Sequence, residues 1–310
     1  FEGVKVDTVS ISPAKIRVRT EIAGSGDIAI EIKDTQGRTM AEGQGADVTL
    51  DIRNGKLWSA ETPTLYTAHV TLKKAGKPVD EETVSFGIRQ ITWSNHGLFI
   101  NGENALLRGG CIHHDSGILG AATYDESEYR RAKLLKEAGF NALRISHNPA
   151  SRALLEACDR VGLYVMDETW DMWYNHKTKF DYASDFLANW KDDLTKLVNR
   201  DYNHPSVIMY SIGNEISEPA AEKGVQLAKD MIALLHNLDS SRAVTAGINL
   251  MILSRSAKGN AIYKEDGSGR DDEKKQKSMA GMSSTMFNLI ASMVGTGMNK
   301  AANGAKADQV

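Results

Sequence analysis

The chain has 310 residues, with 41% hydrophobic and 25% charged residues, which is typical of a soluble globular protein of more than one domain. The formal net charge of −3 gives no sign of the basic face that nucleic-acid binding requires, so no nucleic-acid partner is expected. No apolar run approaches the roughly 18 residues of a membrane span, so no membrane partner is expected either.

The ends of the chain and its two cysteines say little about its compartment. The sequence begins at Phe1 without a Met, and no signal peptide is visible. A cytoplasmic location is therefore favoured, with a secreted location as the alternative. Cys111 and Cys158 both lie in apolar segments, and the sequence predicts two buried free thiols rather than a disulfide framework.

Residues 1–90 are predicted to form an immunoglobulin-like β-sandwich domain. Short stretches of alternating apolar and polar residues are separated by turn sequences such as Asn54-Gly55 and Ala75-Gly76, and no helical pattern interrupts them. Strands at this spacing are typical of a sandwich of immunoglobulin size. The predicted strands include residues 15–19, 28–32, 48–52 and 69–72.

Residues 91–310 are predicted to form the N-terminal part of a (β/α)8 TIM barrel. A hairpin is expected at Asn101-Gly102, and strands and helices alternate after it. Repeated β–helix units imply parallel strands with helical crossovers, and no Gly-rich phosphate loop follows the first strand, which argues against a dinucleotide-binding sheet. The barrel is expected to be incomplete, because only about five of its eight strand units are found. The predicted strands are residues 105–110, 142–145, 163–166, 207–212 and a strand from Val244.

The helices of this part follow from capping and periodicity. Thr123 to Glu126 has the pattern of a capping box that opens a helix ending at Gly139. Residues 151–161 form an amphipathic pattern closed by Gly162, and further helices are predicted at 185–202 and 219–238. Beyond them, a polar run at 271–277 is predicted to be a solvated loop. A Met-rich stretch that contains Met279 and Met298 is predicted to be a helix.

Polar side chains follow each of the first four predicted barrel strands. Because the carboxyl ends of parallel strands meet at one edge of a barrel, these residues are expected to lie together. Carboxylates perform acid/base chemistry and flat indole faces stack on sugar rings, so the set favours a carbohydrate substrate. Its members are His113, His114, Asp115, Arg144, Ser146, His147, Asn148, Asp167, Glu168, Trp170, Asp171, Trp173, Asn214 and Glu215.

Several of these segments resemble motifs of glycoside hydrolase family 2, the family of β-galactosidases, β-glucuronidases and β-mannosidases. Residues 203–207 and 210–215 resemble its acid/base motif. Residues 140–149 and 158–168 resemble its second-strand and third-strand motifs, although a Tyr is commoner where Asn148 stands. Outside the barrel, residues 58–66 and 86–89 resemble the family's immunoglobulin-like domain and its exit into the barrel.

The resemblance implies a (β/α)8 barrel with Glu215 as the acid/base at the end of strand four and a nucleophilic Glu at the end of strand seven. By the count of predicted strands, strand seven is absent, as is the family's N-terminal sugar-binding jelly roll. The chain is therefore expected to be a middle fragment that does not turn over substrate alone. An open barrel edge is expected to make it a homo-oligomer, unless the Met-rich tail covers that edge.

Each candidate residue has a role in this interpretation. Glu215 donates a proton to the leaving oxygen, and Asn214 bonds the sugar's 2-hydroxyl. Arg144 orients the missing nucleophile or pairs structurally with Asp167 or Glu168. His147 contacts sugar hydroxyls or is structural, and Trp170, like Trp173, stacks on a sugar or packs internally. The other predicted substrate-binding residues are Glu168, His114 and Asp115. For His113, His114 and Asp115 the alternatives are lining the substrate pocket, binding a metal ion, or a structural role.

The sequence thus predicts a retaining glycoside hydrolase that cleaves terminal β-linked sugars from an oligosaccharide or β-glycoside. A β-galactosidase is favoured, because residues 108–115 look closest to that subgroup. The alternatives are a β-glucuronidase or β-mannosidase, a non-catalytic carbohydrate-binding fragment, and a metal-dependent barrel hydrolase. No cofactor is expected, with a magnesium or sodium ion as the alternative.

Overall fold

The computed structural model describes residues 3–267, and the predicted polar run and Met-rich helix lie outside the described residues. Within them the chain forms two compact units. The first comprises residues 3–167, 196–210 and 239–243, and the second comprises residues 168–195, 211–238 and 244–267. In this described part, no helix has the length and apolar character needed to cross a membrane.

An immunoglobulin-like β-sandwich opens the chain, as the sequence predicts. One antiparallel sheet has the order β1-β2-β5 and the other has the order β4-β3-β6-β7. The alternation of residues places apolar side chains such as Ile16, Val18 and Ile30 in the common core. The strands are β1 (Val4–Ile11), β2 (Ala14–Thr20), β3 (Asp27–Lys33), β4 (Thr39–Gln44), β5 (Asp47–Asp51), β6 (Tyr66–Lys74) and β7 (Lys77–Phe86).

A small antiparallel sheet follows, formed by β8 (Ile91–Ser94), β9 (Gly97–Ile100) and β10 (Glu103–Asn104). The predicted hairpin joins β9 and β10. Asn101 and Gly102 have φ angles of 55° and 84°, the left-handed conformation that a two-residue hairpin turn requires.

Five strands of the predicted barrel follow in one sheet of order β11-β12-β13-β14-β15, with β11 and β12, and β12 and β13, paired in parallel. Helical segments separate successive strands, which confirms a partial TIM barrel after the sandwich. The strands are β11 (Gly109–His113), β12 (Ala142–Ser146), β13 (Tyr164–Glu168), β14 (Val207–Asn214) and β15 (Ala243–Gly247). The helices are α1 (Asp125–Glu137), α2 (Arg152–Val161), α3 (Ala183–Asp201), α4 (Glu222–Leu238) and α5 (Leu250–Ala257).

Two predicted boundaries in this part are wrong. The first barrel strand is β11 rather than 105–110, because the side chain of Asn141 bonds the backbone oxygen of Leu106 at 2.9 Å and the backbone nitrogen of Arg108 at 2.6 Å. These contacts occupy the backbone before the strand begins. Helix α1 has Tyr124 at its N-cap without a side-chain cap, so Thr123 does not open a capping box.

Helix α2 confirms its predicted limits. The side chain of Ser151 accepts a hydrogen bond from the backbone of Leu154 at 3.1 Å, and Gly162 closes the helix in the left-handed conformation. Cys158 on this helix is buried as predicted. Cys111 is exposed, so its predicted burial is wrong.

The segment of residues 202–207, which leads into β14, is held by two buried guanidinium groups. Arg89 donates to the backbone oxygens of Pro205 at 2.6 Å and Val207 at 2.8 Å. Arg242 donates to the backbone oxygens of Val207 at 2.7 Å, His204 at 2.9 Å and Tyr202 at 3.0 Å. A buried carbonyl without a partner costs about 1–3 kcal/mol, so these five bonds stabilise the segment substantially.

Further side-chain hydrogen bonds within the first unit fix the same segment. Asp159 of α2 accepts from the ring of His204 at 2.6 Å and from the backbone of Ser206 at 3.0 Å. Asn203 bonds the backbone of β1, through Val4 at 2.8 Å and Val6 at 3.0 Å. The sandwich and α2 therefore both fix the chain at the start of β14.

Asp239 neutralises the more deeply placed of these arginines. Its carboxylate accepts a charge-assisted bond from Arg242, and both side chains are almost fully buried. Burial alone would raise the pKa of this carboxyl group, but Arg242 and Ser241 outweigh burial and lower the pKa of Asp239 to about 2.

We expect Asp239→Asn to lower the free energy of unfolding by about 3–5 kcal/mol, because it leaves the charge of Arg242 buried without its counter-ion. Chemical denaturation followed by circular dichroism measures the change. Asp51→Asn is the matched control. Asp51 forms an exposed ion pair with Lys15, so its loss is expected to cost no more than about 0.5 kcal/mol.

The difference in unfolding free energy between the parent and Asp239→Asn also depends on pH. A carboxyl group with a lowered folded pKa stabilises the fold above its unfolded pKa, and that contribution disappears as pH falls through the folded pKa. The stability difference between the parent and Asp239→Asn is therefore constant above about pH 4 and shrinks towards about pH 2. Equal costs for Asp239→Asn and Asp51→Asn would contradict the assigned role.

Candidate active site

Glu215 directly follows β14, whose preceding residues Tyr210, Ser211 and Ile212 are all buried, and its side chain is half-buried. Its backbone has a φ angle of 46°, the left-handed region that residues other than glycine rarely adopt. Such a conformation costs about 1–3 kcal/mol, and it persists only where surrounding contacts determine it. The contacts described next surround this residue in the second compact unit.

Trp173 fixes the chain just before Glu215. Its indole nitrogen donates to the backbone oxygen of Ile212 at 2.6 Å, and the whole side chain is buried. A Cβ atom on Gly213 would lie 2.8 Å from that indole nitrogen and 2.9 Å from the side chain of Ile216. The close approach of Trp173 therefore requires glycine at this position.

Asn249 fixes the carboxyl group of Glu215. Its Nδ2 donates to Oε1 of Glu215 at 2.7 Å. Its Oδ1 caps helix α5 by accepting from the backbone of Met251 at 3.0 Å and Ile252 at 3.4 Å. The cap determines the orientation of the amide group, because only its oxygen can accept these bonds. The nitrogen is thereby directed at Glu215.

A carboxylate and an ammonium group surround Asn214. Its Nδ2 donates to Oδ1 of Asp171 at 2.9 Å, and Lys177 donates to that same oxygen at 2.9 Å and to the backbone oxygen of Asn214 at 2.6 Å. The ring of Tyr263 lies 5.4 Å from the Lys177 nitrogen. Burial raises the pKa of Tyr263, and the carboxylates of Glu215 and Asp171 raise this pKa further.

Glu168 and the two tryptophans are packed within the second unit. Glu168 is fully buried and accepts a bond from the hydroxyl of Ser211 at 2.6 Å. Its role in substrate binding stays a prediction. Trp173 stacks on Phe186, which favours internal packing over sugar stacking. Trp170 meets Phe186 edge to face at 4.9 Å and is 7% exposed, and its contact with substrate stays a prediction.

The remaining predicted residues lie in the first unit. The rings of His113 and His147 meet edge to face at 5.3 Å. His114 bonds the backbone oxygen of Pro149 at 3.0 Å, and Asp115 accepts from the backbone of Gly117 at 3.0 Å. Arg144 lies within β12, opposite Cys111 of β11. Substrate binding by Arg144, His147, His114 and Asp115 stays a prediction.

Two observations bear on the alternative roles of Asp167, as an ion-pair partner of Arg144, and of the histidines, as metal ligands. The carboxylate of Asp167 pairs with Arg200 at 2.6 Å, and burial raises its pKa. Among residues 3–267, no three His, Cys, Asp or Glu side chains gather in an arrangement that could hold a metal ion.

Two residues that contact Glu215 and Asn214 were not predicted from the sequence. Asn249 carries a local signal, because an Asn before Leu250 and Met251 is a typical N-cap, but its contact with Glu215 spans 34 positions. Lys177 carries none, since it lies in a polar loop after β13 and reaches Asn214 across 37 positions.

Comparison with known proteins identifies the family of this chain. The model of the family described as glycosyl hydrolases family 2, TIM barrel domain, matches residues 91–269. A second model, described as glycosyl hydrolases family 2, matches residues 3–89. The chain therefore belongs to glycoside hydrolase family 2, a family of glycosidases.

Individual relatives include enzymes of two specificities. The chain is 33% identical to the β-galactosidase BoGH2A of Bacteroides ovatus over 80% of its length and 35% of that protein. It is 32% identical to a β-glucuronidase of Paenibacillus borealis over 71% of its length and 38% of that protein. The chain thus spans little more than a third of these relatives.

Solved structures agree with this assignment. A family 2 member from Bacteroides cellulosilyticus matches with a TM-score of 0.75 and 40% identity, over 80% of this chain and 34% of that one. A β-D-glucuronidase of Dictyoglomus thermophilum matches with a TM-score of 0.73 and 26% identity, over 80% of this chain and 44% of that one.

We expect Gly213→Ala to lower the free energy of unfolding by about 1–3 kcal/mol, because the added methyl group collides with Trp173 and Ile216. Gly110→Ala in β11 is the matched control. A Cβ atom there would meet the ring of Phe140 at an ordinary 3.5 Å, so a change within about 0.5 kcal/mol is expected. Denaturation of both variants measures the difference, and equal stabilities would contradict the close packing around Gly213.

Proposed function

We propose that Glu215 is the general acid/base of a retaining β-glycosidase. The observation that carries this proposal is the fixed, half-buried carboxyl group at the carboxyl end of β14, with Oε1 held by the capping amide of Asn249. Catalytic groups of barrel enzymes lie at the carboxyl ends of the strands. Membership of glycoside hydrolase family 2 supports the same reaction class.

The contact with Asn249 distinguishes the two oxygens of the carboxyl group. An amide nitrogen only donates, so Oε1 accepts its bond whether Glu215 is ionised or protonated. The catalytic proton is therefore carried by Oε2. In the first step Oε2 gives this proton to the leaving glycosidic oxygen, and in the second step it takes a proton from the attacking water.

The reaction also requires a second carboxylate about 5–5.5 Å from the first, which attacks the anomeric carbon and forms a covalent glycosyl-enzyme. We place this nucleophile outside residues 3–267, in a longer protein that carries this chain. The relatives, of which this chain covers only 35% and 38%, are consistent with that arrangement. This chemistry needs no cofactor.

For the substrate, a terminal β-linked galactose of an oligosaccharide or β-glycoside is the favoured proposal, with β-glucuronide as the second candidate. Both specificities are found among the relatives, and residues 108–115 favour the first. Asn214 is proposed to bond the sugar's 2-hydroxyl, a contact that strengthens in the transition state. Arg144, His147, His114, Asp115 and Trp170 are proposed as further substrate-binding residues.

The leaving-group dependence of Glu215→Gln tests the acid role in the whole enzyme. Gln keeps the acceptor for Asn249 and loses the proton donor. We expect kcat/KM for substrates with poor leaving groups, such as alkyl glycosides, to fall by about 10²–10⁴-fold. For activated aryl glycosides, which leave without a proton, kcat/KM is expected to change far less.

Glu137→Gln is the control, because Glu137 is exposed and forms an exposed pair with Lys133. It is expected to leave both classes of substrate at the parent rate. Equal losses for alkyl and aryl glycosides in Glu215→Gln would overturn the assignment of the acid.

A further inference from the structure

Lys177, Asp171 and Asn214 form a closed triangle of polar contacts at the end of β14. Lys177 is 9% exposed, although it lies in the loop between β13 and α3. Oδ1 of Asp171 accepts from Lys177 and from the amide of Asn214, both at 2.9 Å, while Lys177 also holds the backbone oxygen of Asn214 at 2.6 Å. One ammonium group therefore fixes both the backbone and, through Asp171, the side chain of Asn214.

The triangle determines which way the amide of Asn214 faces. A carboxylate oxygen only accepts, so the nitrogen of the amide must point to Asp171. The other terminal atom of the amide, Oδ1 of Asn214, is then the one that can accept a bond from a hydroxyl group. Without the charge at Asp171, the amide could rotate by half a turn and exchange its acceptor for a donor.

The backbone contact holds the peptide that precedes the proposed acid/base. The carbonyl group that Lys177 holds belongs to the peptide that joins Asn214 to Glu215, and Glu215 has the left-handed φ angle of 46°. A short bond from a buried cation to this carbonyl fixes the orientation of that peptide plane. The loop itself is well anchored, because Asp181 accepts from the backbone of Lys177 at 2.6 Å.

We propose that Lys177 is a positioning residue for recognition of the sugar's 2-hydroxyl group. It acts through Asp171 on the side chain of Asn214 and through the Asn214 carbonyl on the peptide that precedes Glu215. The inference rests on the proposed function, in which Asn214 bonds that hydroxyl and Glu215 is the acid/base. It predicts that, for substrates whose leaving group needs little acid assistance, Lys177 contributes to kcat/KM only when the substrate carries a 2-hydroxyl.

The test compares two substrates in Lys177→Met of the whole enzyme. These are 4-nitrophenyl β-D-galactoside and its 2-deoxy analogue, or the matching glucuronides if the parent prefers them. The nitrophenolate leaves with little help from an acid, so the comparison isolates the 2-hydroxyl. We expect kcat/KM for the galactoside, divided by kcat/KM for its 2-deoxy analogue, to fall by about 10- to 100-fold, because only the substrate with a 2-hydroxyl loses rate.

Lys179→Met is the matched control, because Lys179 is exposed in the same loop, and it is expected to keep the parent ratio. Asp171→Asn, which keeps the size of the side chain and removes its charge, is expected to lower the ratio as Lys177→Met does. It serves as the test if Lys177→Met does not fold by circular dichroism. An equal loss on both substrates, or a ratio unchanged in both variants, would overturn the proposal.

Measuring Glu215→Gln on alkyl and aryl glycosides distinguishes a failure of the role of Lys177 from a failure of the proposed function. If Glu215→Gln shows its leaving-group effect while Lys177→Met keeps the parent ratio, only the role of Lys177 fails. If Glu215→Gln leaves alkyl and aryl substrates equally affected, the proposed function fails, whatever Lys177→Met does.

Discussion

The structure depends on how the segment of residues 202–207 is held before β14 begins. Arg89 and Arg242 donate five bonds to its backbone oxygens, and Asp159 accepts from two of its nitrogens. Burial, and after it the neighbouring Arg242, lower the pKa of Arg89 to about 9. The bonds to carbonyl oxygens compensate these guanidinium groups for lost water contacts, and a planar group with five donors can fix a chain that lacks regular secondary structure.

The other end of β14 leads into Glu215, the proposed acid/base. Glu215, directly after the strand, has a strained backbone. Three contacts hold residues 212–215: Trp173 bonds Ile212, Lys177 bonds Asn214, and Asn249 bonds Glu215. Trp173 and Lys177 both lie in the loop between β13 and α3, and Asn249 is the N-cap of α5. A carboxyl group held in this way loses little conformational freedom when a substrate binds, which is the condition for preorganised acid/base catalysis.

The sequence predicted those features that depend on local pattern. Alternation predicted strands such as β3, and Ser151 and Gly162 predicted the limits of α2, because capping is decided within a few residues. Residues 203–207 were identified by resemblance, and their network explains why that motif has polar side chains beside a proline. The sequence was insufficient where distant residues decide. The predicted start of the first barrel strand was wrong, since Asn141 bonds the backbone of Leu106 and Arg108 before β11 begins. The contact of Lys177 with Asn214, across 37 positions, was not predicted.

The measurement that bears most directly on Glu215 is the configuration of the product that Glu215→Gln forms with azide. Without its base the variant accumulates glycosyl-enzyme from an activated aryl glycoside, and azide, which needs no base, attacks that intermediate. Two inversions give a β-glycosyl azide, which nuclear magnetic resonance distinguishes by its anomeric coupling constant. If Glu215 is the acid/base, azide restores turnover and the product is the β-azide. An α-azide would instead identify Glu215 as the nucleophile.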